Sequence, residues 1–399
     1  VDAFVNGGTL VLSEDATVSA TGKTRAQAES LGVNVSFGAA AGGSVAKADA
    51  VSRVNAYLGN NTQLTGRNLT VSATQALAGS GANVSADATG AAGALFAGLS
   101  ATVAHADHDS RVSSKVGDDS RLTLTGTALV KASNDTRQQA DGSGFAAGIV
   151  AAGFNDARAT SNTVTEAALG DNVYIAAPAA VPATLMTAVS VIADGTDRNR
   201  ANATSGSGGL ISGSAATATT SSTSRTTATT GSGDDARRIA AKTFTLKATH
   251  LTDYNAVVNS VNASVVGASG ARAVNAVDST VRAEIGAGGR VSANDIVVLA
   301  GNSSTKHWIG ASDADAAAFN VDSGSGGVID LPAASSKTAI SQATTAAVGQ
   351  GARVHALMPS AGRASFSMDA YNDLMARDQT RLDSGGLISV AKSVSHINV

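Results

Sequence analysis

The sequence contains one cluster of the residue types that bind metal ions, His105-Ala106-Asp107-His108-Asp109. If this segment is a β-strand, alternation places His105, Asp107 and Asp109 on one face, and imidazole nitrogens and carboxylates are common zinc ligands. No equivalent cluster recurs elsewhere in the chain. Solvated polar residues at a strand end or turn are therefore the favoured interpretation.

Three segments combine glycine with acidic or amide residues in a way that could bind calcium: Gly117-Asp118-Asp119, Gly170-Asp171-Asn172 and Gly233-Asp234-Asp235. The chain has no Asp-x-Asp-x-Asp-Gly loop and no tandem Gly-Gly-x-Gly-x-Asp nonapeptide. Asp and Asn tolerate the positive φ of a tight corner, so ordinary turns are favoured and calcium binding stays an open alternative.

Motifs for nucleotide binding and nucleophilic catalysis fail. Gly22-Lys23-Thr24 has the end of a phosphate-binding loop, but Thr17 stands where its first glycine is required, and a turn is predicted instead. Gly206-Ser207-Gly208-Gly209 is predicted to be a glycine-rich turn without a helix to bind phosphate. No Gly-x-Ser-x-Gly elbow or His-Glu-x-x-His motif is present. The sequence therefore assigns no catalytic, cofactor-binding or metal-binding residue, and predicts a protein that is not an enzyme.

The elements that position all these residues belong to a repeat. Glycines that follow a β-branched or aliphatic residue, or Thr, recur at Gly59, Gly117, Gly170, Gly231, Gly286 and Gly349, in steps of 58, 53, 61, 55 and 63 residues. Five residues after the glycine come Leu64, Leu122, Ile175, Val291 and Val354, and in the fourth copy Ile239 takes this place three residues late. A fixed period of this size indicates one structural unit copied along the chain.

A second marker has the same period: Gly208-Gly209-Leu210-Ile211, Gly326-Gly327-Val328-Ile329 and Gly385-Gly386-Leu387-Ile388. A short insertion after Gly231 explains the late position of Ile239. The long fourth and sixth steps are interpreted as containing inserted loops because they are associated with the four prolines, Pro178, Pro182, Pro332 and Pro359. Proline cannot donate to a β ladder.

Composition indicates the type of array. The 399 residues include 43 glycines, no cysteine, 3% aromatic and 15% charged residues, and the apolar content is largely Ala and Val. A thin interior of small residues is typical of parallel β-solenoids, whereas runs dense in Ser and Thr lack the apolar stripe of a helical repeat. We predict an all-β, elongated right-handed parallel β-helix built from repeats of about 58 residues, each close to three coils. Low-complexity disorder is the alternative for residues 196–236.

The repeats divide the chain into one continuous solenoid. The predicted boundaries are a partial repeat at 1–27, six repeats at 28–76, 77–136, 137–195, 196–255, 256–308 and 309–372, and a partial repeat at 373–399. Val1 begins inside a repeat, so we expect the chain to be part of a longer protein.

Charge excludes some partners. The net charge of −3 argues against nucleic acid and anionic membranes, which usually require a basic patch. The sequence has no run of eighteen apolar residues, so membrane insertion is not expected. The lack of cysteine fits a large exported protein that must stay unfolded in transit, although it fits a cytosolic protein equally.

The repeat resembles that of a known family. The Val-x-Ala-x-[Leu/Ile]-Gly strand end, at Val54 to Gly59 and Val281 to Gly286, together with the Ala/Gly/Ser/Thr/Asn-rich composition, resembles the repeat region of filamentous-haemagglutinin-like and leukotoxin-type bacterial exoprotein adhesins. The amino-terminal secretion domain of that family is not found in this sequence. The resemblance implies a non-enzymatic structural and adhesive shaft, secreted by or on the surface of a Gram-negative bacterium and exported by two-partner secretion through an outer-membrane transporter. Its implied partners are a host-cell or matrix surface, a polysaccharide or another adhesin copy, in attachment or biofilm contacts.

Two alternatives remain open. A polysaccharide-acting β-helix enzyme would need acid and base residues from neighbouring coils to converge in a groove, and aromatic platforms; Trp308 and the tyrosines at 57, 174, 254 and 371 are scattered. A trimeric autotransporter head would need shorter repeats and a heptad stalk. We predict partner contacts first in the inserted loops at 176–188 and 355–364, because loops tolerate variation.

Overall fold

The protein is an all-β structure without helices in its described residues. The computed structural model describes residues 1–79, 81–178, 185–233, 238–306, 320–358 and 362–399. All 23 of its strands join one hydrogen-bonded sheet system, and every registered strand pair is parallel, as in the β5 and β9, and the β14 and β15 ladders.

The strands are β1 (Asp2–Val5), β2 (Gly8–Val11), β3 (Ala16–Thr24), β4 (Ala26–Ser36), β5 (Ala39–Leu58), β6 (Thr62–Gly66), β7 (Leu69–Leu77), β8 (Val84–Ala94), β9 (Ala97–Val116), β10 (Arg121–Leu124), β11 (Thr127–Ala147) and β12 (Val150–Leu169). They continue with β13 (Tyr174–Ala176), β14 (Met186–Thr230), β15 (Ile239–Ile285), β16 (Arg290–Lys306), β17 (Val321–Gly326), β18 (Ile329–Val348), β19 (Arg353–Ala356), β20 (Ser365–Met375), β21 (Thr380–Gly385), β22 (Ile388–Ser389) and β23 (Lys392–Asn398).

The chain pairs with itself one full repeat later. Leu58 lies beside Val116, 58 residues on, and Val116 lies beside Leu169, 53 residues on. Further along, Ala168 pairs with Thr229 and Thr230 with Ile285. These separations equal the sequence steps between the glycines. We call the chain between two such glycines a circuit.

One repeat therefore makes one circuit, and the prediction of about three coils per repeat is wrong. Coils of some twenty residues would pair residues about twenty apart, which no ladder does. The physical reason is that each repeat carries only two sharp reversals, one at each glycine marker, and between them strands of 20 residues run without interruption, as in β5 and β9.

Each circuit consists of two facing legs. In the circuit from Gly59 to Gly117, the outward leg comprises β6, β7 and β8, the chain reverses at Leu95 and Phe96, and β9 returns. Residues 93–97 align in register with the Gly-Gly marker of later circuits. We call the reversal at the single glycine the near turn and the reversal at the second marker the far turn. Both markers are thus confirmed as turns.

The circuit is broader than this stack is tall. A return leg of 20 residues, such as β12, extends about 65 Å at about 3.3 Å per residue, whereas the consecutive return legs from β5 to β23 stack to about 30 Å at about 4.8 Å each. The predicted elongation along the repeat direction does not hold for a chain of this length. The same repeats give a wide slab because each one adds only a single layer.

Near turns stack directly on one another. Asn61, Asp119 and Asn172 each have φ of 56°, the left-handed conformation that Asn and Asp tolerate. The backbone N–H of Asn61 donates to the carbonyl of Asp118 at 2.8 Å. A Cβ on Gly117 would lie 2.5 Å from the backbone nitrogen of Asn60, so the backbones of successive turns are too close for any other residue. This contact explains the recurrence of the glycine.

The interior changes character from the near turn to the far turn. Leu64, Leu122, Ile175, Ile239 and Val291 form one column of a large aliphatic cluster beside the near turn. This column confirms the predicted offset, including the late position of Ile239. Along β11 the inward residues then run, in order, Val130, Ala132, Asn134, Thr136, Gln138 and Ala140. A polar zone thus separates the aliphatic cluster from a second cluster made almost wholly of alanine.

Two local predictions are wrong. Gly22, Lys23 and Thr24 do not form a turn but end strand β3, paired with Gln75 to Leu77. Pro332 is not in a loop but within strand β18, where it faces inward and pairs in register with Ser269. The strand tolerates it because the ladder lapses on the opposite side, between β22 and β23, where no N–H is required.

Other local predictions hold. Gly206 to Gly208 end an outward leg, and the far turn follows at Gly209. A Cβ on Gly209 would collide with the carbonyl oxygen of Gly148 in the preceding far turn. The Ser/Thr-rich stretch is strand β14 as far as Thr230, with alternating burial, which excludes disorder for 196–230.

Candidate functional surface

The His105 cluster forms part of strand β9, and its predicted alternation is confirmed. His105, Asp107 and Asp109 face outward, whereas His108 faces inward and is buried. His105 Nε2 lies 2.9 Å from Asp156 Oδ2 in the next circuit. The described residues contain no group of three or more His, Cys, Asp or Glu that could hold a metal ion. The cluster therefore forms a cross-circuit pair in this structure.

The acidic near turns form a ladder of side chain to backbone hydrogen bonds. Asn60 Oδ1 accepts from the N–H of Asp118 at 2.9 Å, and Asp118 Oδ1 accepts from that of Asp171 at 3.0 Å. Asp171 Oδ1 continues the ladder by accepting from the N–H and the hydroxyl of Ser232, both at 2.8 Å. These contacts support the predicted turn role. Asp234 and Asp235 lie outside the described residues.

His108 belongs to a directed chain of hydrogen bonds in the polar zone. The amide nitrogen of Gln138 can only donate, and it lies 3.2 Å from His108 Nδ1, so the imidazole carries its proton on Nε2 and donates to Ser52 Oγ at 3.2 Å. Ser52 donates to Ser110 Oγ at 2.9 Å, and Ser110 donates to Asn134 Oδ1 at 2.8 Å. The chain links both legs across three circuits and needs a neutral histidine.

Burial reinforces that neutrality. Desolvation lowers the pKa of His108 to about 4, and the nearby Asp109 carboxylate opposes the shift only in part. Protonation would place a charge in the polar zone and break the hydrogen bond from Gln138 to Nδ1.

A second buried network surrounds Asp197, whose side chain is fully buried together with that of His250. His250 Nε2 lies 2.7 Å from Asp197 Oδ1, which also accepts from Thr252 Oγ1 at 3.0 Å. Asp197 Oδ2 accepts from Ser161 Oγ at 2.6 Å and from Ser222 Oγ. One carboxylate therefore joins residues of both legs and neighbouring circuits.

The pKa of Asp197 is lowered overall. Burial acts to raise it, but the hydrogen bond and charge of His250 and the serine hydroxyls outweigh burial. The residue types are those of a catalytic triad, but the geometry differs, because both serines contact the carboxylate while His250 Nδ1 meets Thr226 Oγ1 at 3.1 Å. All of these side chains lie inside the stack, out of reach of a substrate.

A third buried pair lies higher in the stack. Lys306 Nζ is 2.5 Å from Asp378 Oδ1, and both side chains are almost completely buried. Thr338 Oγ1 donates to the same carboxylate oxygen at 2.9 Å. Burial lowers the pKa of Lys306 against the opposing effect of Asp378, and burial together with Asp378 raises the pKa of Tyr254. The pair extends the polar zone into the last circuits.

Sequence reasoning missed all three networks. Their members occupy inward columns that hold other residue types in other circuits: the column of Asp197 contains Thr136 and Thr252. Once the sequence is arranged in register by its glycines, inward polar residues become visible. A single copy of Asp or His gives no periodic signal.

The near half of the outer return-leg surface is charged. A groove of about 500 Å³ is lined by Arg111, Glu166, Arg225, Arg282 and Glu284 together with Val164 and threonines. Arg282 Nε donates to Glu284 Oε2 at 2.6 Å, and Arg111 Nη2 lies 3.8 Å from Glu166 Oε2. Acidic and basic groups from neighbouring circuits thus converge in one open groove.

The far turns carry a continuous line of exposed apolar side chains. We call it the far-edge stripe, and it comprises Phe37, Leu95, Phe96, Ile149, Val150, Leu210, Ile211, Val265, Val266, Val328, Leu387 and Ile388, exposed by 37–86%. Each circuit contributes at least one residue. The second sequence marker, with its invariant aliphatic pair, is the signal from which this stripe could have been predicted.

The aromatic residues make local pairs. Tyr57 stacks on Phe4 with ring centroids 5.0 Å apart, and Arg121 covers the ring of Tyr174 at 4.2 Å. Tyr254 is buried and Tyr371 is 47% exposed. Trp308 lies outside the described residues, as do Pro182, Pro359 and the central parts of the loops at 176–188 and 355–364.

No family model, curated protein or solved structure matches the chain. Among the described residues there is no helix of the length and apolarity needed to span a membrane.

Proposed function

We propose that this chain is a non-enzymatic structural and adhesive part of a secreted bacterial surface protein, folded as a right-handed parallel β-solenoid. The observation that carries the proposal is the uninterrupted one-repeat register. Each circuit pairs with the one before and the one after it, from β1 to β23. Such a stack grows by adding repeats and presents periodic outer faces, which suits a spacer with distributed contacts.

The buried networks support a structural role. The ionisable side chains most sheltered from solvent, Asp197, His250 and Lys306, hold the two legs together rather than face a cleft. The proposed partners are a host-cell or matrix surface, a polysaccharide or a second adhesin copy, and the proposed export route is two-partner secretion.

Attachment measurements test the proposal. The purified chain is coupled to beads, and retention under flow is measured on surfaces coated with extracellular matrix or with acidic or neutral polysaccharide. We expect retention on at least one coating, with bare beads as the control. Retention equal to that of bare beads on every coating would overturn the adhesive role. Replacing the loops at 176–188 and 355–364 by short turns tests whether they contribute.

One observation favours a second candidate, a polysaccharide-acting enzyme. The charged groove brings Arg111, Arg225 and Glu166 together from neighbouring circuits, an arrangement that acid–base chemistry on a charged sugar requires. Incubation with polyuronates and measurement of new unsaturated or reducing ends distinguishes the two. Turnover that Glu166→Gln abolishes would favour the enzyme.

A further inference from the structure

The far-edge stripe is larger than a soluble monomer usually exposes. At roughly 150–250 Å² of surface for each large apolar side chain, and with residues exposed by 37–86%, it presents on the order of 1,000 Å². The largest apolar patch on a typical monomer is about 300–600 Å², and a stable complex needs about 800 Å² from each partner. The stripe therefore has enough area for a specific interface.

A shallow groove runs beside the stripe on the outer return-leg surface. Ala215, Gly270 and Ala333 occupy one outward column of three consecutive circuits, and they line a depression of about 460 Å³. In this column the circuit before Ala215 has Phe154. The missing side-chain volume leaves a trough parallel to the stripe, about 13 Å from it at about 3.3 Å per residue between Ile211 and Ala215.

From these observations we propose that a second copy of this chain binds here, with the stripe of each copy in the groove of the other. A two-fold axis parallel to the stacking direction, between stripe and groove, places both contacts at once, as an isologous dimer requires. Only another stack has side chains repeating at the same spacing of about 4.8 Å, so that contacts stay in phase over every circuit.

Charge favours the same occupant. The stripe has no charged residue, and the charged groove lies in the other half of the return-leg surface, near the near turns. A membrane-binding surface would combine apolar residues with Lys or Arg along the same edge. The stripe lacks them, whereas two identical uncharged surfaces face each other without electrostatic cost. The inference rests on the proposed function only in needing the same stacked fold.

Sedimentation equilibrium tests the proposal. We expect the purified chain to have twice its mass of 39.0 kDa at micromolar concentration. The variant Leu95→Lys, Leu210→Lys, Val328→Lys changes three exposed far-turn residues of alternate circuits and should raise the dimer Kd at least tenfold. The matched control Ser113→Lys, Thr227→Lys, Thr345→Lys changes outward positions of the same three return legs and should leave the Kd unchanged.

Because the chain has no cysteine, cross-linking gives a second measurement. Leu210→Cys mixed with Ala215→Cys should form a disulfide between chains, whereas Leu210→Cys mixed with Thr229→Cys should not. A monomeric wild type, or an oligomer that the stripe variant and the control weaken equally, would overturn the inference. Bead retention by a monomeric stripe variant would leave the proposed function standing, so the two failures are distinguishable.

Discussion

The near and far halves of each circuit are built in opposite ways. Beside the near turn, large aliphatic residues such as Leu64 and Leu122 are buried, while arginines and carboxylates lie outside. Towards the far turn, alanines fill the interior and large apolar residues such as Phe96 and Leu210 are exposed. The near half resembles an ordinary protein core, whereas the far half keeps its apolar surface on the outside. The difference indicates that stability comes mainly from the near half and association from the far half.

The largest expected effect comes from changing the register on which both halves depend. Deleting residues 59–116 joins Leu58 to Gly117, the residue that replaces Gly59 in the next circuit. We expect a folded stack one layer shorter. Deleting residues 59–87 joins a return leg to the middle of an outward leg and should abolish cooperative unfolding, measured by circular dichroism and limited proteolysis. Loss of folding in the first deletion would contradict the modular picture.

Asp197 tests the polar zone between the halves. Asp197→Ala leaves His250 and the hydroxyls around it without their shared acceptor, and breaking a buried pair costs about 3–5 kcal/mol. The control Asp156→Ala removes a partly exposed pair with His105, worth about 0–1 kcal/mol. Urea denaturation of both variants checks this. Equal losses would show that burial does not matter here.

Leucines in the two halves should differ in their effect on stability. Leu246→Ala removes a fully buried side chain from the aliphatic cluster and should lower the free energy of unfolding by about 2–5 kcal/mol. Leu210→Ala, at a residue 52% exposed, should change it by no more than about 0.5 kcal/mol. Measurement at concentrations below the dimer Kd separates folding from association. A large loss at Leu210 in the monomer would contradict the division of roles.

His108 gives the smallest effect and a pH signature. Its pKa is lowered from 6.5 to about 4 by burial, so the unfolded chain binds a proton first, and stability is lost as pH falls from 6.5 towards 4. The loss by pH 5 is about 2 kcal/mol. Asp197, whose pKa is lowered from 3.8, contributes only below that range. Unfolding free energies of wild type and His108→Gln between pH 5 and 7 check this: the variant should lack the slope.

The sequence predicted the parts of the fold that recur. The glycine steps, the aliphatic column through Ile239 and the Gly-Gly marker all correspond to register positions, because stacking forces equivalent residues into contact. What occurs once could not be predicted in this way. Asp197 and His250 have no copies, and Pro332 depends on a lapse in a neighbouring ladder. The number of coils was predicted wrongly because the typical coil length outweighed the long alternation of β5.

The breadth of the circuit has a mechanical consequence. Hydrogen bonds between circuits point along the stacking direction, and each return leg contributes a ladder such as that between the 20-residue strands β5 and β9. Tension applied to the faces of the stack loads all these bonds in parallel, so that one layer separates from the next only if many break together. Tension applied at a chain terminus instead peels one strand residue by residue. The protein should therefore withstand force best when it is held by its outer surfaces.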